Sequence, residues 1–298
     1  MAQLAPQPVV MECDGWPDRS SYRLIDSGAG RKYEAFGPHA FIRPEPQAMW
    51  QPRLSDWPAA GEFVPGSDED GGGRWNLDPS VPDGWELAWN DVRFAAQPTP
   101  FRHLQFFPDM APVWDWMREQ LNGKSDAETL NMFGYTGLGS LALSDHGRVT
   151  HVDASKKSVA QARENAALSG MDDRPIRWLV DDAAKFAARE VRRERRYDGI
   201  ILDPPKFGRG PKNETWRLEE GLPGLIHDCA RLLDGNSRFL FLTVYAVRMS
   251  SLAIAGLLEE ALRDLPGTIE HGDLAVREEG ESGRLLPTAI FARWSNPG

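Results

Sequence analysis

The apolar run Ile200, Ile201, Leu202 ends in Asp203-Pro204-Pro205-Lys206-Phe207. An acid followed by two prolines sets a carboxylate on stiff backbone, because each proline ring fixes φ and removes an N–H. The proline carbonyls then accept hydrogen bonds with no competing donor beside them. Such a corner can hold the planar N–H edge of a base. Phe207 adds a stacking face and Lys206 a cation for a phosphate. The bland alternative is a proline turn closing a strand, with Phe207 in the core.

A second group lies upstream. Phe133, Gly134, Tyr135, Thr136 and Gly137, with Gly139 beyond, stand where an apolar run changes to a helical pattern. Glycine in such a turn permits positive φ and a close backbone approach. The spacing is not the dinucleotide fingerprint, since Tyr135 and Thr136 fill the turn. Asp153, followed by Ala154 and Ser155, ends the next strand-like run sixteen residues after Gly137. An acid there is suited to ribose hydroxyls, and otherwise to capping the next helix. Asp181-Asp182-Ala183 ends a third run. Asp182 is favoured to accept from an adenine amine, with helix capping again the alternative. Together the strand ends describe a nucleoside site. Hydride transfer explains the glycine turn but not Asp203-Pro204-Pro205, whereas group transfer from a nucleoside-bearing cofactor explains both.

These residues need a scaffold that delivers strand ends to one edge. Strand-like runs at 129–133, 148–152, 176–180, 197–202 and 238–244 alternate with helical stretches at 155–169, from about 183, 223–233 and 251–263. Strands alternating with helices make βαβ units and a mainly parallel sheet, whose ligands sit beyond the carboxyl ends of the strands. Two extended runs at 268–277 and 287–294 have only a short linker, so the last strand is expected to join antiparallel. The expected fold is α/β: a Rossmann-like, doubly wound, mainly parallel seven-stranded sheet across 106–298, with a small mostly-β domain over 1–105. That first stretch is rich in Gly, Pro and Trp, with alternating runs at 22–26 and 32–43 and a solvated loop at 67–73. Eight of the eleven tryptophans lie at or before Trp116. They could stack bases, but a small domain needing large apolar side chains explains most of them. Residues 101–110 join the two halves and are expected to cross the cofactor mouth, with His103 read as a hydrogen-bonded structural histidine.

In order, Asn131-Met-Phe-Gly-Tyr-Thr-Gly, Asp153-Ala-Ser, Asp181-Asp-Ala and Asp203-Pro-Pro-Lys-Phe resemble class I S-adenosylmethionine-dependent methyltransferases. More narrowly, they resemble the bacterial family that includes large-subunit ribosomal RNA methyltransferases, over about residues 100–298. The resemblance implies S-adenosyl-L-methionine as cofactor, lined by Phe133, Gly134, Tyr135, Thr136, Gly137, Asp153, Ala154, Ser155, Asp182, Ala183 and Asp203. It implies a reacting end formed by Asp203, Pro204, Pro205, Lys206 and Phe207, with ribosomal RNA as partner and no metal. Members that methylate cytosine C5 carry a cysteine after the fifth strand. Here residues 242–248 contain none. Cys229 falls on a helical stripe with Leu222, Leu225, Ile226, Leu232 and Leu233, and nothing places Cys13 at the site. A base nitrogen is therefore the expected methyl acceptor. The amino-terminal region does not match the RNA-binding module of some relatives, which keeps a protein or small-molecule substrate, or a cofactor-binding module without chemistry, as alternatives.

Bulk properties set outer limits. The 298 residues carry a net charge of −10, which argues against broad non-specific nucleic-acid binding but not against a local basic mouth. Residues 185–212 are the one clearly positive stretch, with nine Lys/Arg against four Asp/Glu. Most of that is the arginine run 189–196, expected at the far end of the sheet, ~20 Å from Asp203. Lys206, Arg209, Lys212 and Arg248 are the candidate basic rim. No apolar stretch approaches the roughly 18 residues of a membrane span, and the start lacks a signal-peptide pattern. Two cysteines are too few for a disulfide framework. A cytoplasmic setting is expected.

Overall fold

β-Branched and aromatic runs separated by alanine- and leucine-rich segments become a large sheet with helices packed against it in the computed structural model, which describes residues 6–14, 16–17, 20–66, 72–245 and 248–296. In chain order the first strands are β1 (Gln7–Cys13), β2 (Tyr22–Gly28), β3 (Arg31–Phe36), β4 (His39–Pro44), β5 (Gly61–Pro65), β6 (Gly73–Leu77), β7 (Trp85–Trp89) and β8 (Val92–Ala96). Then come α1 (Ala111–Gln120), β9 (Ala127–Met132), α2 (Leu138–Leu143), β10 (Gly147–Asp153), α3 (Lys156–Leu168), β11 (Ile176–Val180), α4 (Ala183–Arg192) and β12 (Gly199–Leu202). The chain closes with β13 (Phe207–Arg209), β14 (Thr215–Arg217), α5 (Leu218–Arg231), β15 (Phe239–Tyr245), α6 (Ser251–Leu262), β16 (Thr268–Arg277) and β17 (Leu285–Ser295).

The packing divides into two units. One comprises Met1–Met11, Val113–Asp273 and Ala289–Gly298, the other Glu12–Pro112 and Leu274–Thr288.

The second unit is mostly β. Its five-stranded sheet runs β2-β3-β4-β5-β6, beside the hairpin β7-β8. The run expected at 32–43 is two strands, because Gly37, at φ 66°, turns the chain between them. Trp16 and Trp89 are buried, and Trp16 meets Phe94 and Phe106 edge-on at 5.7 and 5.6 Å. The indoles of Trp75 and Trp85 donate to backbone carbonyls of Thr99 and Phe36. These tryptophans therefore serve the interior of the unit. His103 packs 4.5 Å from Phe107, and burial holds its pKa well below the usual range. The loop expected at 67–73 lies largely outside the described residues.

The large sheet has the order β1-β16-β17-β15-β12-β9-β10-β11. β9, β10, β11, β12 and β15 are parallel, and β17 pairs antiparallel with β15 along its length. The Rossmann-like doubly wound architecture is thus as expected, with one strand more. The eighth is β1, which joins the edge at β16. Gly272 permits it, since a Cβ there would lie 1.7 Å from the Val9 carbonyl oxygen. Pairing between the two ends of a chain leaves no local sequence signal. The helices bury Phe186, Leu222, Ile226 and Leu258 against Leu130, Ile200 and Leu240 of the strands. α5 begins five residues before the expected 223 and carries Pro223 inside it.

Candidate active site

Register brings the strand ends together. Leu202 pairs with Met132, Met132 with Val152, and Asp153 with Val180. Asp203, Phe133, Asp153 and Asp181 therefore leave β12, β9, β10 and β11 at one level of the sheet. Three interstrand steps span about 14 Å. The strand order reverses between β9 and β12, so the glycine turn stands at the switch point, where doubly wound sheets take their ligands.

The turn is held from below. Gly134 N donates to Val152 O at 3.1 Å, and Tyr135 N donates to Asp153 Oδ2 at 2.9 Å. Phe133 and Tyr135 adopt positive φ, 59° and 48°, although neither is glycine. Such conformations cost energy and persist only where surrounding contacts enforce them. Of the glycines, Gly137 uses positive φ, 85°, while Gly134 is needed for space: a Cβ would sit 2.5 Å from the His151 ring. At Gly137 a Cβ would meet the Ala162 Cβ at 2.7 Å, so α3 packs directly on the turn. Thr136 is buried, and its carbonyl accepts from Asn165 Nδ2 at 2.9 Å.

Beneath the turn runs a polar row that the sequence reading missed. Asn131 and Trp178 lie in register with His151 on either side, and Asn131 Nδ2 donates to Ser140 Oγ, which meets His151 Nδ1 at 2.9 Å. Burial, with the Arg163 charge, pushes the His151 pKa down to about 3, so this imidazole is neutral. A histidine and an asparagine interrupting apolar strands at matching positions were the available signal.

Asp153 is half-buried, and its oxygens accept from Tyr135 N and Ser155 N at 2.9 and 2.8 Å. Burial raises its pKa, with the two backbone donors opposing. Burial and the Asp153 charge push the Tyr135 phenol up to about 12. Ser155 caps α3 by accepting from Ser158 N, and Ala154 lies between the two. Asp182 caps α4 by accepting from Lys185 N at 2.9 Å, and Ala183 opens that helix. The capping alternative therefore holds for Asp182, while Asp153 fastens the glycine turn and leaves the cap of α3 to Ser155. Asp181 is ion-paired to Arg189.

At the last strand end Asp203 is half-buried and Pro204 buried. The Pro205 carbonyl accepts from Trp216 Nε1 at 2.7 Å, and Trp216 packs 5.1 Å from Phe133. One proline carbonyl is therefore engaged by the protein itself. Lys206 is exposed, and Phe207 is 42% exposed on the hairpin β13-β14, not in the core. Arg209, Lys212 and Arg248 are exposed as well. Arg195 pairs with Glu128, near the start of β9, which puts the end of the arginine run at the opposite end of the sheet, while Arg189, which begins the run, reaches back to Asp181. Cys229 is fully buried among the leucines of α5, with its thiol pKa raised by burial, and Cys13 is buried in the β-rich unit.

A doubly wound sheet with a half-buried carboxylate and a glycine turn at its switch point defines a Rossmann-like nucleoside-binding protein. The model of the S-adenosylmethionine-dependent methyltransferase family matches residues 69–260, and the chain belongs to that family. A solved SAM-dependent methyltransferase from Agrobacterium tumefaciens is 37% identical with a TM-score of 0.90, covering 100% of this chain and 97% of that one. Ribosomal RNA large subunit methyltransferase I of Alteromonas mediterranea is 39% identical over 84 residues, 28% of this chain and 21% of the relative. Ribosomal RNA large subunit methyltransferase K/L of Pseudoalteromonas atlantica is 26% identical over 159 residues, 52% of this chain and 22% of the relative. The chain thus spans about a fifth of the length of these two curated relatives. Among the described residues no helix is long and apolar enough to cross a membrane.

Proposed function

We propose that this methyltransferase modifies a base nitrogen of RNA, with ribosomal RNA the first class to test, and that the cofactor lies along the aligned ends of β12, β9, β10 and β11. The observation that carries the reading is the register that levels Asp203, Asp153 and Asp181 across the switch point. Asp153 fits the cofactor's ribose. Its backbone partners occupy one lone pair on each oxygen, and an ionised carboxylate has about four acceptor sites, enough for a vicinal diol as well. Phe133, Gly134, Tyr135, Thr136 and Gly137 shape the wall beside it, with Ala154 and Ser155 following Asp153. Asp182, with one oxygen on its helix, offers the other to an adenine amine, and Ala183 supports that edge. When bound, the cofactor supplies a methyl group activated on a sulfonium sulfur.

At the reacting end, Asp203 accepts from the N–H of the base and takes the proton that the nitrogen sheds. The Pro204 carbonyl, with no N–H of its own residue to compete, is the second acceptor and fixes the plane of the base. Pro205, tied to Trp216, keeps that corner rigid. Positioning and desolvation are the main requirements of such a transfer. Lys206 and Phe207, both exposed beyond the corner, offer a phosphate partner and a stacking face to the same substrate. A target in a helix would have to be unpaired or flipped. The names of the similar ribosomal RNA methyltransferases support an RNA substrate. The burial of both cysteines supports nitrogen over cytosine C5, which requires an accessible thiolate.

The test is transfer of labelled methyl to unmodified ribosomal RNA, followed by nucleoside analysis. An N-methylated base, absent with Asp203→Ala while S-adenosylhomocysteine still binds, is expected. A 5-methylpyrimidine, or transfer only to protein or small molecules, would refute the reading.

A further inference from the structure

The hairpin β13-β14 has two unlike faces. Phe207 pairs with Arg217, Gly208 with Trp216 and Arg209 with Thr215. Opposed residues of an antiparallel pair share a face, and faces alternate along each strand. Trp216 and Gly208 therefore point one way, and Phe207, Arg209, Thr215 and Arg217 the other. The inner face is fastened by the Trp216 indole on Pro205 O and by its contact with Phe133. At the base of the hairpin Leu218 N donates to Lys206 O at 3.0 Å. At its tip Glu214 accepts from Lys185 Nζ on α4 at 2.7 Å and from Lys212 N at 2.8 Å. The outer face is thereby presented on a scaffold held at three points.

That outer face is solvent-exposed and chemically specific. Both guanidiniums lie over the Phe207 ring, Arg209 at 5.7 Å and Arg217 at 5.8 Å from its centroid. Arg209 also donates to Thr215 Oγ1 at 3.2 Å and Asn213 Oδ1 at 3.5 Å. The acidic neighbour of Arg217 is Glu220, 3.8 Å away with both side chains well exposed, a pair too solvated to hold the arginine. In a chain of net charge −10, a solvent-facing aromatic ring between two arginines has a specific complement. Single-stranded nucleic acid places a base on the ring and phosphates on the guanidiniums. An acidic peptide would answer the arginines and leave the ring unused.

Resting on the RNA reading of the site, we infer that this strip grips the single-stranded RNA beside the methylated base: Phe207 stacks one nucleotide and Arg209 and Arg217 pair with the phosphates flanking it. The hairpin is thus the substrate-binding arm of the same active site.

The test is fluorescence anisotropy of a short labelled single-stranded RNA of random sequence. It is titrated with the full chain saturated in S-adenosylhomocysteine, at several salt concentrations. Each phosphate contact on a single strand contributes about 0.7 to the slope of log affinity against log salt, so Arg209→Gln/Arg217→Gln should lower the slope by about 1.4. Phe207→Leu should weaken binding at least about fivefold with the slope unchanged, since stacking releases no counterions. Calorimetry with S-adenosylhomocysteine confirms that each variant is folded. RNA binding whose slope is indifferent to both arginines overturns this inference and leaves the RNA reading standing. An acidic peptide that displaces the RNA from the strip and binds it more tightly also overturns it. A wild-type chain that binds no RNA and methylates none overturns the RNA reading, and this inference with it.

Discussion

Replacing Asp153 by alanine acts on two things at once, and the structure separates them. Tyr135 N and Ser155 N lose their acceptor, and each hydrogen bond to a charged group is worth about 1.5–3 kcal/mol. The same change removes a carboxylate whose charged form burial disfavours, the largest influence on its pKa. The two effects oppose, so the net loss of stability should be about 1–3 kcal/mol, below the sum of the two bonds. Cofactor affinity has no such offset. Losing one charge-assisted bond to the ribose should weaken S-adenosylhomocysteine binding about 10- to 150-fold. Asp153→Asn, which keeps one acceptor oxygen but turns an NH2 toward the other backbone donor, should fall between. Calorimetric titration of the three proteins, with urea unfolding alongside, measures both quantities. The pH dependence has a definite sign. A raised folded-state pKa means that the folded chain binds this proton more readily than the unfolded one. In the window just above 3.8, stability from Asp153 therefore increases as pH falls, and Asp153→Asn should lack that increment. A folded Asp153→Ala protein with wild-type affinity would refute the ribose role.

Gly134→Ala should cost about 1–3 kcal/mol, because the new methyl meets a histidine ring held by Ser140. His151→Ala in the same chain should recover part of it, and additive losses in urea unfolding would show that the two do not touch. His151, depressed to about 3, resists protonation in the fold, so stability should fall by up to about 1.4 kcal/mol per unit as pH drops from 6.5 toward 3. Comparing His151→Asn with the wild type at pH 7 and pH 5 checks this, and an equal pH slope in both would count against it. Cys229→Ser should leave methyl transfer intact while costing about 1–3 kcal/mol for a buried hydroxyl. A folded but inactive variant would restore a thiolate mechanism.

Much of the fold was legible because its signals are local. The parallel strands and most helices follow from strand-like runs alternating with helical stretches, each read within a few residues, and Ser155 caps α3 where such a stretch begins. The motif ends Asp153, Asp182 and Asp203 were found the same way, because strand-to-helix turns confine chemistry to known offsets. Their partners were less accessible. Asp182 was favoured for an adenine amine with capping as the alternative, and in the fold one of its oxygens does cap α4.

What the chain could not declare in one dimension is pairing at a distance. β1 adds an eighth strand from the opposite end of the sequence. Leu274–Thr288, read as part of the strand-rich carboxyl end, belongs with Glu12–Pro112. Asn131, Ser140 and His151 become one buried row only when β9 and β10 meet in register with α2 above them. Phe207, ambiguous between core and surface, is turned outward because Trp216 occupies the inner face of a hairpin too short to show a pattern. By itself the sequence determined the class of sheet and the acids at the strand ends, since periodicity and turn composition are local, and the resemblance of those motifs implied the cofactor. Tertiary structure alone decided which of those groups are spent on the fold and which face solvent, because register and burial are set by partners far away in the chain.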